Sequence, residues 1–254
     1  HRYVRPEDQE IVGLIASSFA YGHVKVIRGS LSFIFGRMGE SPRAFVESFE
    51  PGEGEKLFGG FVHRFHSARD LAGLLFLARR MMEEAGSIGD YFMASYDPSA
   101  RDITPSLTRF VGRLRDLDPF ASRFFPSPAS GSACKRLCMY LRWMVRPRDG
   151  VDLGLWEDVS PAQLVIQVDT HVHRLAGYLG LTRRRSADWK AALEVTAALR
   201  RFDPYDPVRY DFPLCHLGIS EGCAGGKGER CLTCPIGQFC VTTQSLSSLG
   251  VPVP

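Results

Sequence analysis

Four cysteines near the C-terminus constrain this chain more tightly than anything else in it. Cys223, Cys231, Cys234 and Cys240 read C-x7-C-x2-C-x5-C within the last 32 residues. Four thiolates on tethers this short can surround one tetrahedral site. Such a site suits Zn²⁺ or a [4Fe–4S] cube, because both are soft enough to prefer sulfur and both accept four thiolate ligands. The spacing alone leaves the two open. A disulfide framework is the competing use of clustered cysteines, but an intracellular chain of 254 residues has core enough to need no staples, and a reducing compartment would open them. Cys134, Cys138 and Cys215 lie in apolar helical contexts, where a buried thiol outside any metal site is the common fate.

Elsewhere the chain reads as helical. Ile11, Leu14, Ile15 and Ser18 share one stripe, and Val24, Ile27, Leu31, Ile34 and Phe35 a second. Further helices are expected at Pro42 to Ser48, Ala68 to Ala85, Pro105 to Asp116, about Ala133 to Val145, from Asp169 to a stop at Gly180, and Ser186 to Arg201. Ser41-Pro42 and Thr104-Pro105 are cap-then-proline starts. Two-residue alternation with turn dipeptides is absent, so the expected class is all-α. Neither a signal segment nor an apolar run of the roughly 18 residues of a membrane span occurs. A cytoplasmic, monomeric protein is the expectation.

Val168-Asp169-Thr170-His171-Val172-His173-Arg174-Leu175 resembles the V-D-T-H-V-x-R segment of the endonuclease III branch of helix-hairpin-helix DNA glycosylases. In that family a helix and a histidine-glycine stretch then lead into a C-x6-C-x2-C-x5-C iron–sulfur loop. Here His216-Leu217-Gly218 precedes Cys223, and the cysteine loop is one residue longer. The resemblance covers roughly the C-terminal half and implies [4Fe–4S] rather than zinc. It also implies two helical lobes around a DNA-binding cleft: a middle lobe over 20–168 with the hairpin and Lys135, and a terminal lobe from 1–19 plus 169–254 with Asp169 and the cluster. Family members that combine glycosylase and lyase activity place a lysine at the start of the helix after the hairpin, and Lys135 fits that place. The usual L-P-G-x-G hairpin is reduced to Gly131 after Pro126 and Pro128. The 34-residue interval from Lys135 to Asp169 is closer to that of archaeal 8-oxoguanine glycosylases.

The implied chemistry is excision of an oxidised base from double-stranded DNA, 8-oxoguanine first among them. Lys135 would attack C1′ and form a Schiff base, and Asp169 would take the proton or stabilise the cationic sugar. The helix start and the adjacent Arg136 both favour the uncharged amine that such an attack needs. Taken alone, Asp169 is a good helix N-cap and Lys135 an ordinary surface lysine. Tyr21 is the candidate wedge for the gap left by an extruded base, with packing between two helices as the plainer reading. Gly131, Arg136, Arg142, Arg146, Arg148 and His171 are the candidate DNA contacts, joined by the run Arg183-Arg184-Arg185. Phe61 and His63, from the aromatic and basic run Phe58 to His66, and Trp156 are candidates for the base pocket. The formal charge of +3 is too small to argue for nucleic acid, but Gly131 to Phe202 holds 12 Lys/Arg against 7 Asp/Glu, so the rest of the chain is slightly negative. Two other classes fit less of the pattern: a non-catalytic nucleic-acid-binding iron–sulfur protein and a zinc-stabilised structural protein.

Overall fold

The computed structural model describes residues 2–219, 223, 231, 233–234 and 236–241. Among these, eleven α-helices and one two-stranded hairpin form the regular structure, so the chain is mostly helical, as expected. It divides into two compact units, one of residues 1–130 with 136–163, the other of 131–135 with 164–254.

The first unit is built from α1 (Pro6–Ser18), α2 (Val24–Met38), α3 (Pro42–Ser48), α4 (Gly54–Phe58), the strands β1 (Val62–His63) and β2 (His66–Ser67), α5 (Ala68–Ala85), α6 (Ile88–Met93), α7 (Thr104–Leu117) and all but the first residue of α8 (Lys135–Val145). Helix α5 organises its core. Leu71, Leu74, Leu75 and Ala78, spaced for one helical face, are completely buried, and each leucine contributes about 1.5–3 kcal/mol by leaving water. Asp70 holds the N-terminus by accepting from the Ser67 amide at 2.6 Å and the Ser67 hydroxyl at 2.8 Å. Gly73 is in mid-helix because the Phe120 ring occupies the space a Cβ would need. The proline starts hold with one adjustment. Ser41 caps α3, accepting from Ala44 N at 3.4 Å, whereas α7 begins at Thr104 itself and Asp102 takes the Thr104 amide at 2.9 Å.

The second unit contains α9 (Thr170–Tyr178), α10 (Trp189–Arg200) and α11 (Asp211–Ile219). Leu164, Val165 and Ile166 are buried as the sequence requires, and the Ile166 amide is satisfied by Thr196 Oγ1 of α10 at 3.0 Å. Helix α9 ends where expected: Gly180 takes φ +68°, and Leu181 N reaches back to Ala176 O at 2.8 Å. Helix α10 starts at Trp189, later than the expected Ser186, because Asp188 is its cap.

The two units cut the chain differently from the expected lobes. Helix α1 belongs to the first unit, where it packs on α2, α3 and α6, while Lys135 falls in the second. The part of the expected terminal lobe beyond 241 lies outside the described residues. No described helix is long and apolar enough to cross a membrane.

Candidate functional site

Residues 131–135 turn sharply before α8 begins. Gly131 (φ +79°) and Cys134 (φ +47°) both adopt left-handed backbone, which glycine does without cost and a side-chain-bearing residue does rarely. The turn is pinned from α10: Trp189 N donates to Gly131 O at 3.1 Å, and Ser132 bridges Asp188 in antiparallel fashion. Asp188 in turn caps α10 through Ala191 N at 2.8 Å and pairs with Arg184 at 2.8 Å. The Arg184 guanidinium and the Ala191 amide hold its carboxyl far below the usual carboxylate range. Arg184 is thereby tied to the protein, while Arg183 and Arg185 on either side are exposed.

This turn delivers Lys135 to Asp169. Lys135 Nζ lies 3.5 Å from Asp169 Oδ2, with side chains 35% and 18% exposed, so the pair is sheltered yet reachable from solvent. The other carboxylate oxygen, Oδ1, caps α9 by accepting from Val172 N at 2.8 Å. Asp169 is therefore both helix cap and partner of the lysine. The positive ends of two helices meet this pair, since Lys135 opens α8 and Asp169 precedes α9. His171, two residues into the same segment, is half-buried, and its Nδ1 has no hydrogen-bond partner among the described residues.

Cys223, Cys231, Cys234 and Cys240 line one cavity of the second unit, with Leu175 and Leu179 of α9, Leu217 of α11, and Ile236. The sequence intervals thus bring all four thiols to a common apolar-walled space, and none of the seven cysteines is in a disulfide. Among the described residues no three His, Cys, Asp or Glu side chains are placed to hold a metal ion.

Several residues expected at a DNA interface have other positions. Arg142 is 7% exposed and directs Nε and Nη2 at Asp152 Oδ2, at 3.3 and 3.2 Å. Arg146 joins the same carboxylate and also pairs with Asp149 at 3.2 Å. Asp152 is wholly buried, and a buried carboxylate needs such partners, so both arginines answer an internal charge rather than facing solvent. Arg148 is exposed, with one long contact to Gln9 Oε1 at 3.4 Å.

The expected base-pocket residues are core. Phe61 packs edge-on to Phe19. His63 is completely buried between Ser30 Oγ (2.8 Å from Nδ1) and Tyr21 O (3.1 Å from Nε2), and burial pushes its imidazole pKa down. Trp156 stacks on Phe92 at 5.2 Å and donates its indole N–H to Glu10 at 2.6 Å. Glu10, 8% exposed, also accepts from Gly89 N at 3.1 Å and Ile88 N at 3.3 Å, and burial lifts its carboxyl above the ordinary range.

Tyr21 and Arg136, expected as DNA contacts, line a cavity of about 470 Å³ in the first unit together with Phe65, His66 and Arg123. These last three were missed by sequence reasoning. Phe65 and His66 belong to or adjoin the same aromatic and basic run as Phe61 and His63, and the hairpin turn at Arg64-Phe65 decides which of them face the cavity.

Comparisons with curated proteins and with solved structures find no match. Residues 1–220 match the model of a family described as "Protein of unknown function (DUF2400)", and the chain belongs to that family.

Proposed function

We propose that this protein is a DNA glycosylase with associated abasic-site lyase activity, acting on an oxidised base in duplex DNA, with 8-oxoguanine the first substrate to test. The supporting observation is the 3.5 Å approach of Lys135 to Asp169, residues 34 positions apart that the V-D-T-H resemblance pairs. In the proposed reaction the uncharged Lys135 amine attacks C1′ of the damaged nucleotide. The new C–N bond forms as the glycosidic bond breaks, the base leaves with the electron pair and is protonated, and Asp169 accepts the proton lost from the attacking nitrogen. Opening of the sugar gives a Schiff base, from which loss of a C2′ proton expels the 3′ phosphate and nicks the strand.

The second unit supplies the rest of this reading. Four cysteine thiolates around one cavity are a suitable donor set for a [4Fe–4S] cluster, which would hold the four cysteines together against the apolar wall of Leu175, Leu179 and Leu217 when bound. Extruding a base costs about a few kcal/mol and demands phosphate contacts. Arg183 and Arg185, exposed beside the anchored Arg184, can make them, as can Arg148.

Borohydride trapping on duplexes containing an abasic site, 8-oxoguanine, uracil or thymine glycol tests the proposal. A covalent adduct is expected on at least the first two, absent in Lys135→Ala. No adduct on any duplex refutes the lyase reading and leaves a binding protein whose Lys135–Asp169 contact is a structural ion pair.

A further inference from the structure

The cavity lined by Tyr21, Phe65, His66, Arg123 and Arg136 has no part in the reaction just described, and its composition is hard to account for by folding. Arg136 is the clearest anomaly. It is half-buried, and burial pushes its guanidinium pKa down. One Nη donates to Ser18 O at 2.7 Å, and the group lies 5.4 Å over the Tyr21 ring, but among the described residues no carboxylate pairs with it. A desolvated cation that keeps donors open toward a cavity is costly unless something anionic enters. Arg123, exposed at the same cavity, uses Nε on Asp70 at 2.5 Å, which leaves part of its planar fork unused.

The remaining walls define the rest of a ligand. Phe65 is 76% exposed at the tip of the hairpin, beside Arg64 in a left-handed backbone conformation (φ +53°) that is uncommon for a residue with a side chain. A large aromatic held in water at the rim of a cavity offers a stacking face. His66 is fixed behind it, stacked on Phe124 at 4.4 Å and hydrogen-bonded through Nδ1 to the Tyr21 hydroxyl. Burial and the neighbouring Arg136 hold the His66 pKa down. The cationic charge lining the cavity therefore comes from two arginines, Arg136 and Arg123, the second of which is also paired with Asp70.

We infer that this cavity binds a nucleotide phosphomonoester, with its phosphate on Arg136 and Arg123 and its base stacked on Phe65. A phosphomonoester carries about −1.5 to −2 charge near neutrality and presents three acceptor oxygens, enough to accept from Arg136 and from the unused part of the Arg123 fork together. A cavity of about 470 Å³ also lies within the range of small-molecule sites. The same chemistry occurs in a free nucleotide and at the 5′-phosphorylated end of a strand.

Isothermal titration calorimetry on the full chain tests the assignment with deoxyadenosine 5′-monophosphate, deoxyadenosine and inorganic phosphate. The monophosphate is expected to bind, the nucleoside to show no measurable binding, and phosphate to bind more weakly than the monophosphate. Phe65→Ala should weaken the monophosphate about tenfold without changing phosphate binding, in line with the loss of one stacked base. Arg123→Gln should weaken both ligands. These two positions are exposed, so both variants should fold even if Arg136→Gln, which loses the Ser18 contact, does not. Titrating a short single strand with and without a 5′-phosphate distinguishes the sources: a phosphate-dependent gain assigns the strand end, and its absence beside binding of the monophosphate assigns the free nucleotide. Equal binding of nucleoside and monophosphate, no binding of the monophosphate, or unchanged affinities in both variants would overturn the inference. None of these measurements requires base excision, so failure of the glycosylase proposal leaves this one standing, and the reverse holds.

Discussion

Asp169 offers a separation of stability from chemistry, because its two oxygens do different things. Oδ1 caps α9 through Val172 N, and Oδ2 faces Lys135 Nζ at 3.5 Å. Asparagine is as good an N-cap as aspartate, so Asp169→Asn keeps the first function and loses only the charge. The ion pair is partly exposed, and such pairs contribute about 0–1 kcal/mol. Asp169→Ala loses the cap as well, which adds about 1 kcal/mol and brings the total to about 1–2 kcal/mol. Urea unfolding followed by far-ultraviolet circular dichroism should resolve the two variants in that order. Borohydride trapping should not: both variants should lose adduct formation by about 100-fold or more, the usual contribution of a general acid–base group. An Asn variant as unstable as the Ala variant would show that capping is not what Oδ1 contributes. An Asn variant that traps at the normal rate would remove Asp169 from the chemistry.

Lys135→Arg keeps a cation opposite Asp169 but has no amine that can form a Schiff base, so stability should change by less than about 1 kcal/mol while the trapped adduct disappears. Glu10→Gln places a side-chain amide among three N–H donors where only acceptors fit, with an expected cost of about 1–3 kcal/mol in thermal or chemical unfolding. Because burial raises the Glu10 carboxyl above its unfolded value, the folded chain holds that proton more tightly. Its contribution to stability is therefore fully present below the unfolded pKa and is lost as pH rises through the folded one; the Gln variant should lack this slope. Asp152→Ala removes the buried carboxylate that Arg142 and Arg146 share and should cost about 3–5 kcal/mol by the same unfolding assay. If the cysteine segment holds the proposed [4Fe–4S] cluster, Cys234→Ser should lower iron and sulfide below the amounts bound by the parent protein, and equal amounts in both would remove Cys234 from the proposed ligand set.

What could be read in advance follows from how far apart the interacting groups lie. Helices α1, α3, α5 and α9 were legible because the apolar spacing and the capping residues that define them are local. Helices α4 and α6, of 5 and 6 residues, are too short to show a period, and a hairpin with two residues per strand cannot display alternation. Among candidate site residues, Lys135 and Asp169 were paired through a motif, since nothing local distinguishes a lysine that meets a carboxylate from an ordinary surface one. Arg142 and Arg146 were misread for a related reason: an arginine on an amphipathic helix looks solvated, although Asp152, ten and six residues on, was the available clue to an internal charge. Trp156 and Glu10 are 146 positions apart, and no pattern in either segment announces their hydrogen bond. The two cations that open α8 show the limit most clearly. Consecutive helical residues point about 100° apart, so Lys135 and Arg136 must meet different surroundings. Lys135 meets a carboxylate, and Arg136 meets a carbonyl, a phenol ring and an open cavity. Two adjacent basic letters thus meet different surroundings, one paired with a carboxylate 34 positions on and the other set against a carbonyl 118 positions back with no carboxylate paired to it among the described residues, and only the folded placement of those distant residues assigns which is which.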